Sequence, residues 1–254
     1  MIDGDGSLTK IGGGNLILGG TSTYGGGTNV NAGTLTLLGG SSFISDLQIS
    51  NAAQVDVQQG ASISGVGTFT QTAGSTIVNG AMTQADILIN GGALGGSGMI
   101  TGDVQIGAGG TLGPGNSPGS LTIDGGFTLA AGGFLALELG GTAPGQFDEL
   151  FIQNGIADLL GEIQISFIDG YLPALNDTFT LLTATSFSSA SSLVAFSFFG
   201  GDPGAFQTIF TETTLSIVFS EATAAIPIPA ALPMLLVALL GFGIVARRRT
   251  SAAA

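Results

Sequence analysis

Gly14-Asn15-Leu16-Ile17-Leu18-Gly19-Gly20 and Gly33-Thr34-Leu35-Thr36-Leu37-Leu38-Gly39-Gly40 repeat one pattern, 19 residues apart. In both, leucine alternates with a second residue and glycines close the ends. Such period-2 alternation predicts a strand with one buried face, and the glycines predict turns. A second echo, Asp46-Leu47-Gln48-Ile49, Asp86-Ile87-Leu88-Ile89 and Asp103-Val104-Gln105-Ile106, recurs at intervals of 40 and then 17 residues. Self-similarity near 17 to 20 residues predicts a solenoid whose rungs stack on one another. Each rung then buries one apolar row per strand, here Leu16, Leu18, Leu35, Leu37, Ile87 and Ile89. Stacking pairs every strand edge with a neighbour and leaves only the two ends open. The expected fold is all-β, a parallel β-helix; a β-sandwich, also built from short strands, is the alternative. No stretch before Ile226 has helical periodicity.

Composition sets limits on partners. Before Arg247 the chain holds 17 acids and one base, Lys10, a balance of 16 negative charges. Nucleic acid and anionic membrane surfaces require a positive patch and are excluded as partners of this body; solubility and association with cations are favoured. Cysteine and histidine are absent, which removes disulfides, thiolate metal sites and the usual nucleophile–base pairs.

Gly6-Ser7-Leu8-Thr9-Lys10 through Gly39 resembles the autotransporter-associated β-strand repeat. The likeness is clearest in Gly14-Asn15-Leu16-Ile17-Leu18, Thr21-Ser22-Thr23-Tyr24-Gly25-Gly26-Gly27-Thr28 and Asn31-Ala32-Gly33-Thr34-Leu35. Gly109-Gly110-Thr111-Leu112-Gly113-Pro114-Gly115-Asn116-Ser117-Pro118-Gly119 is similar to a segment of such passengers, and its glycines and prolines also describe a tight inter-rung turn. The resemblance implies a right-handed β-helix displayed at the cell surface. No run of strands for an outer-membrane barrel follows residue 225, so the display device has to differ.

Residues 1–133 read as the solenoid repeats and 134–220 as a β-rich capping region, because the strands there lengthen and phenylalanine becomes frequent. Residues 221–225 form a linker, and 226–254 are of another kind. The last segment reads Ile226-Pro227-Ile228-Pro229-Ala230, then an uncharged run over 230–246, then Arg247, Arg248 and Arg249. That run of 17 residues spans roughly 26 Å as a helix, close to a bilayer's hydrocarbon thickness, and predicts one C-terminal transmembrane helix; a buried core helix is the alternative. The arginines would hold its end on the cytoplasmic side of the inner membrane. In its order of box, helix and arginines the segment resembles PEP-CTERM protein-sorting signals of the Val-Pro-Leu-Pro-Ala type. That resemblance implies a Gram-negative bacterium and recognition by an exosortase-like membrane protease, with the tail removed on maturation. Met1-Ile2-Asp3-Gly4-Asp5-Gly6 has no features of a signal peptide, so the expectation is that the N-terminal leader is missing from this chain.

Candidate chemistry is sparse. Asp148-Glu149 reads as a solvated turn, since adjacent strand residues face opposite ways and cannot flank one bond. Asp3-Gly4-Asp5-Gly6 lacks the further ligands of a calcium loop, and Asn176-Asp177-Thr178 is a lone glycosylation sequon. With rungs of 17 to 20 residues, Asp86 and Asp103 would stack about 4.8 Å apart. Like charges so close need screening or bridging, so Asp46, Asp86 and Asp103 are candidate calcium ligands; no other cofactor is expected. The function expected is an exported structural or adhesive protein of the cell surface or extracellular matrix, in contact with polysaccharide or another surface. The alternative is a glycosidase-like enzyme on the same scaffold, which would show two carboxylates about 5 to 9.5 Å apart on a concave face.

Overall fold

The computed structural model describes residues 2–201 and 204–220. Its strands fall into three parallel ladders that run the length of a solenoid. One ladder starts with Asn15–Leu18, Thr34–Leu37, Gln54–Val57 and Ser75–Val78 and ends with Glu162–Phe167 and Ala195–Phe199, nine strands in all. A second passes through Leu8–Lys10, Thr28–Val30, Leu47–Ile49 and Thr68–Gln71, and a third through Thr21–Tyr24, Ser42–Ile44 and Ser62–Ser64. Ala81–Ile89 and Met99–Ile106 turn from the third ladder into the second without ending, and a register shift between Thr83 and Asp86 marks the bend.

The two leucine copies are stacked in register: Leu16 pairs with Leu35 and Leu18 with Leu37. Leu35 then pairs with Val55 and Leu37 with Val57. Inward columns of Leu, Ile, Val and Phe result, fully buried at Leu35, Leu37, Ile87 and Ile89. Leu16 and Leu18 are half-buried instead, because they lie in the first described rung and are covered from one side. Burying an aliphatic side chain contributes about 1.5–3 kcal/mol. The stack repeats that contribution at every rung, since each inward residue meets its counterparts above and below.

Polar residues inside the stack are satisfied one by one. Gln71 interrupts the apolar column between Ile49 and Ile89. Its amide donates to the carbonyls of Gly91 and Ala93 at 3.2 and 3.0 Å and accepts from Thr76 Oγ1 at 2.7 Å. Lys10, the single base before the tail, is buried and points its Nζ at the carbonyl oxygens of Ile11, Gly12 and Ala32 at 3.2, 2.6 and 2.9 Å. Three donors meet three acceptors, which is what an ammonium needs away from water.

The ladders run across residue 134, since Phe134 pairs with Thr111 on one side and Glu162 on the other. The rungs do lengthen there: Leu135 pairs with Ile163, and Ile163 with Phe196. Closure comes from an antiparallel hairpin. Thr214–Ser220 lies antiparallel on Thr178–Thr183, and Ala205–Phe210 lies antiparallel on Thr214–Ser220. Phe167, Phe179, Phe198, Phe206 and Phe219 fill the space beneath it, with Phe198 and Phe206 centroids 4.7 Å apart. This aromatic plug explains the phenylalanine-rich texture of the region.

The structure corrects the expected fold class in two respects. The β-sandwich alternative fails, because the described strands pair in parallel from rung to rung until the final hairpin. The transmembrane helix has no counterpart among the described residues either. Among the described residues no helix is long and apolar enough to cross a membrane. The helical segment present is a 3-10 turn at Ser189–Leu193 of 5 residues, far short of the roughly 20 that a bilayer requires. Residues 221–225 and 226–254, including 230–246, lie outside the described residues.

Glycine is structurally demanded at particular turns. Gly74 has φ +77, and a Cβ there would sit 2.0 Å from the Ala53 carbonyl of the preceding rung. Gly13 has open space around it and an ordinary φ. Gly74→Ala is expected to destabilise the fold by about 2–4 kcal/mol, and Gly13→Ala to change it by no more than about 0.5 kcal/mol. Urea unfolding midpoints check this; equal costs at both positions would show that rung-to-rung approach is not what selects glycine.

Candidate functional site

The predicted aspartates share one column. Asp86 pairs directly with Asp103, and Thr68 pairs with Asp86. The same register, carried from Gln48 opposite Thr70, places Asp46 beside Thr68. Asp46 is therefore two rungs from Asp86, roughly 9–10 Å along the axis. One cation with bonds of about 2.4 Å cannot join those two. The carboxylates have local work instead: Asp46 Oδ1 accepts from the Gly67 N–H at 2.8 Å, and Asp103 Oδ1 from the Gly126 N–H at 2.7 Å. Each ties the bend of its rung to the next. Among the described residues no group of three or more His, Cys, Asp and Glu side chains is placed to hold a metal ion.

Asp46 also borders the larger of two notable cavities, about 420 Å³. It opens between successive bends of the second and third ladders, over Gly25, Gly26 and Gly27, with Ile44, Val66 and Gly65 on its sides. Ile44 and Val66 are exposed, Val66 almost completely at 94%. Behind the glycines is a buried polar chain. Tyr24 Oη bonds Thr28 Oγ1, which bonds Ser45 Oγ at 2.8 Å, and Ser45 Oγ donates to the Asp46 carbonyl at 2.9 Å. Gln84, only 2% exposed, donates through Nε2 to the Ser45 carbonyl at 3.1 Å, while its Oε1 has no hydrogen-bond partner. The glycines create this arrangement. A Cβ on Gly65 would lie 2.5 Å from Asp46 Oδ1 and 2.6 Å from both amide atoms of Gln84; one on Gly67 would lie 2.3 Å from Asp46 Oδ2.

The second cavity, about 310 Å³, lies under the Gly113-Pro114-Gly115-Asn116-Ser117 turn and is lined by Glu138 and Asp148. Here the sequence reading is overturned. Asp148 is not a solvated turn but buried, at 3% exposure. Its Oδ1 accepts from the Gly119 N–H at 2.7 Å and its Oδ2 from the Glu138 N–H at 2.9 Å. Asp148 thus fastens the end of the glycine-proline turn to the neighbouring ladder. Burial pushes its carboxyl up to about 6, against the two N–H bonds and helped by the nearby Glu138 charge. Glu138 Oε2 is buried without a partner. Nothing local in the sequence distinguishes Asp148 or Gln84: their burial is set by rungs 10 or more positions away, in Glu138, Gly119 and Ser45.

A carboxyl whose folded value is above its ordinary 3.8 favours the folded state when protonated. Asp148's contribution is therefore greatest below about pH 4 and is lost as pH rises through about 6. A loss of roughly 1–2 kcal/mol across that window is expected after allowance for solvent screening. In Asp148→Asn, urea midpoints at several pH values should lose that part of the slope, while overall stability drops because one N–H now faces an amide donor. An unchanged slope would show that other carboxyls govern it.

The tail residues Ile226, Pro227, Ile228, Pro229, Ala230, Arg247, Arg248 and Arg249 lie outside the described residues. Comparison with known families matches residues 8–37 to the model described as Passenger-associated-transport-repeat. The matched span runs from the strand Leu8–Lys10 to the strand Thr34–Leu37, a little more than one rung. No curated protein matches the chain. The repeat and the parallel β-solenoid together fit a secreted, passenger-like protein of the cell surface.

Proposed function

We propose that this chain is the rod of an exported surface or matrix protein, adhesive and structural in action. The observation that carries this reading is the in-register parallel solenoid that includes the matched passenger repeat. A rod of this kind has no sheet edge along its length and carries polar outward rows such as Asn29, Gln48 and Thr70, which follow one another in register. Its strong negative balance keeps such rods apart in solution.

The glycosidase alternative finds a carboxyl pair in Glu138 and Asp148, which line one cavity. Both Asp148 oxygens are committed to backbone N–H groups, and the residue is buried, so it does not reach a sugar at the cavity mouth. That arrangement supports a structural role for the pair.

The test is expression of the chain behind an export leader in a Gram-negative host. Intact cells treated with protease should lose the rod, and the released protein should be retained on polysaccharide-coated surfaces without hydrolysing them. Protein that stays protected inside the cell, or reducing sugar released over time, would overturn the reading. The same proposal assigns Ile226, Pro227, Ile228, Pro229 and Ala230 to recognition by an exosortase-like membrane protease. Mass spectrometry of the exported protein should then find a C-terminus upstream of Arg247; exported protein that keeps Arg247, Arg248 and Arg249 would remove the protease from the proposal.

A further inference from the structure

Glu138 and Asp148 meet under the turn that joins the strand Gly110–Pro114 to the strand Ser120–Asp124. Glu138 belongs to the strand Phe134–Leu139, and its backbone N–H donates to Asp148 Oδ2 at 2.9 Å. Asp148 Oδ1 holds the far end of the turn through the Gly119 N–H at 2.7 Å, and the Gly119 carbonyl accepts from the Glu149 N–H at 3.0 Å. Both acids line one cavity of about 310 Å³. Glu138 Oε2 is nevertheless shut off from solvent and has no hydrogen-bond partner. A buried acceptor in a native fold calls for a donor.

That donor has to be internal. A ligand in the open part of the cavity does not reach an oxygen with no exposed surface. A calcium ion would find two carboxylates, one of them with each oxygen already bonded to an N–H, which falls short of six to eight oxygen ligands. A proton needs no room. Each Asp148 oxygen has two lone pairs and its N–H uses one, so Oδ2 can carry a hydrogen and still hold the Glu138 N–H. Burial of Asp148 favours that hydrogen, and the Glu138 charge adds to the effect. The surrounding elements bring no other charge to the pair. Ser166 stands opposite Glu138 on the strand Glu162–Phe167, and Glu162 lies at that strand's other end, opposite Phe134. The turn supplies glycine, proline, asparagine and serine, and Glu149 faces away from Asp148 in the strand alternation. Lys10, the only base among the described residues, is held by the carbonyls of Ile11, Gly12 and Ala32.

We propose that Asp148 and Glu138 share one proton that latches turn 113–119 to the rod: Asp148 Oδ2–H donates to Glu138 Oε2, and loss of the proton leaves two carboxylates facing each other beneath the turn. The direction follows from linkage. Asp148's carboxyl is raised from 3.8 to about 6, so the latch is fully set below about pH 4 and is released as pH rises through about 6. Repulsion is then relieved at the turn, because Glu138 is fixed in its ladder against Ser166 whereas Asn116 and Ser117 are exposed. Asn116 Nδ2 donates to Asn79 Oδ1 and Ser97 Oγ at 3.0 and 2.9 Å, so the latch also steadies a polar row on the rod's surface.

Nuclear magnetic resonance of the full chain tests the turn and the pair separately. Hydrogen-exchange protection of the Gly119 amide, corrected for the intrinsic pH dependence of exchange, should fall about tenfold between about pH 5 and about pH 8. In Glu138→Gln the side-chain amide replaces the proton as the donor to Asp148, so protection of Gly119 should stay level over the same range. Parent protection that ignores pH would overturn the latch, and a variant that loses protection as the parent does would leave Asp148 titrating alone and overturn the pair. The side-chain carbon resonances of the parent need no variant. Asp148 Cγ and Glu138 Cδ should move together in one pH step; a Glu138 Cδ that stays still while Asp148 titrates would also sink the shared proton. Calcium added at about pH 8 should leave Gly119 unprotected, whereas restored protection would assign the partner of Glu138 Oε2 to a cation and remove the proton from that role.

Discussion

Every rung of this protein depends on the parallel backbone ladder it shares with the rungs on either side. A strand of three or four residues has too few internal contacts to hold itself, so its N–H and C=O groups must be met by neighbours in the same register. The pairing of Leu16 with Leu35 and Leu35 with Val55 is thus a condition of folding as much as a result of it. Slipping one rung by one residue would turn its apolar row outward and leave the columns above and below with nothing to pack against. The close approach that the ladder imposes also selects the turn residues. At Gly74, Gly92, Gly96 and Gly155 the space a side chain would need is already filled by backbone of the previous rung.

A stack of this kind has little tolerance for unsatisfied polar groups, and the rod meets the constraint in several ways. Lys10 is surrounded by carbonyls, Gln71 and Thr76 satisfy each other inside the core, and Asp148 takes two N–H groups from different segments. Lys10 and Gln71 also reach carbonyls of the next rung, and Asp148 joins separate segments, so these polar contacts reinforce stacking rather than compete with it. Gln84 Oε1 and Glu138 Oε2 depart from that rule, and each lies at or behind the wall of a cavity. The geometry of the two differs. Glu138 sits beneath a tight turn already fastened by Asp148, whereas Gln84 lies behind glycines that leave the wall thin.

Much of the fold was legible in the chain because repetition is a one-dimensional signal. Leu35, Leu37, Ile87 and Ile89 were recognisable as core from alternation and echo, and they are fully buried. Asp86 and Asp103 were expected to stack and do pair. What was misread shares a cause. Asp148 was taken as solvated because adjacent acids in a local window look like a turn, while its burial comes from Gly119 and Glu138, brought near by the lengthened rung. Asp46 was grouped with Asp86 by its tetrapeptide, yet Thr68 lies between them, so the echo skipped a rung. Residues 230–246, expected on hydrophobicity to form a transmembrane helix, lie outside the described residues, among which no helix is long and apolar enough to cross a membrane.

The sequence by itself determined that this is a stack of short strands with buried leucine rows, strongly acidic and without histidine or cysteine. Those properties follow from local pattern and composition, which need no partner to be read. Only the tertiary structure decided which residues meet across rungs: that Asp46 and Gln84 meet at Gly65, that Tyr24, Thr28 and Ser45 form one buried chain, and that a hairpin over a phenylalanine cluster closes the end. Rung length varies along the chain, so residues that share a site lie at unequal separations, such as 39 positions between Ser45 and Gln84. No periodic reading of the chain brings them together; the stacking of unequal rungs does.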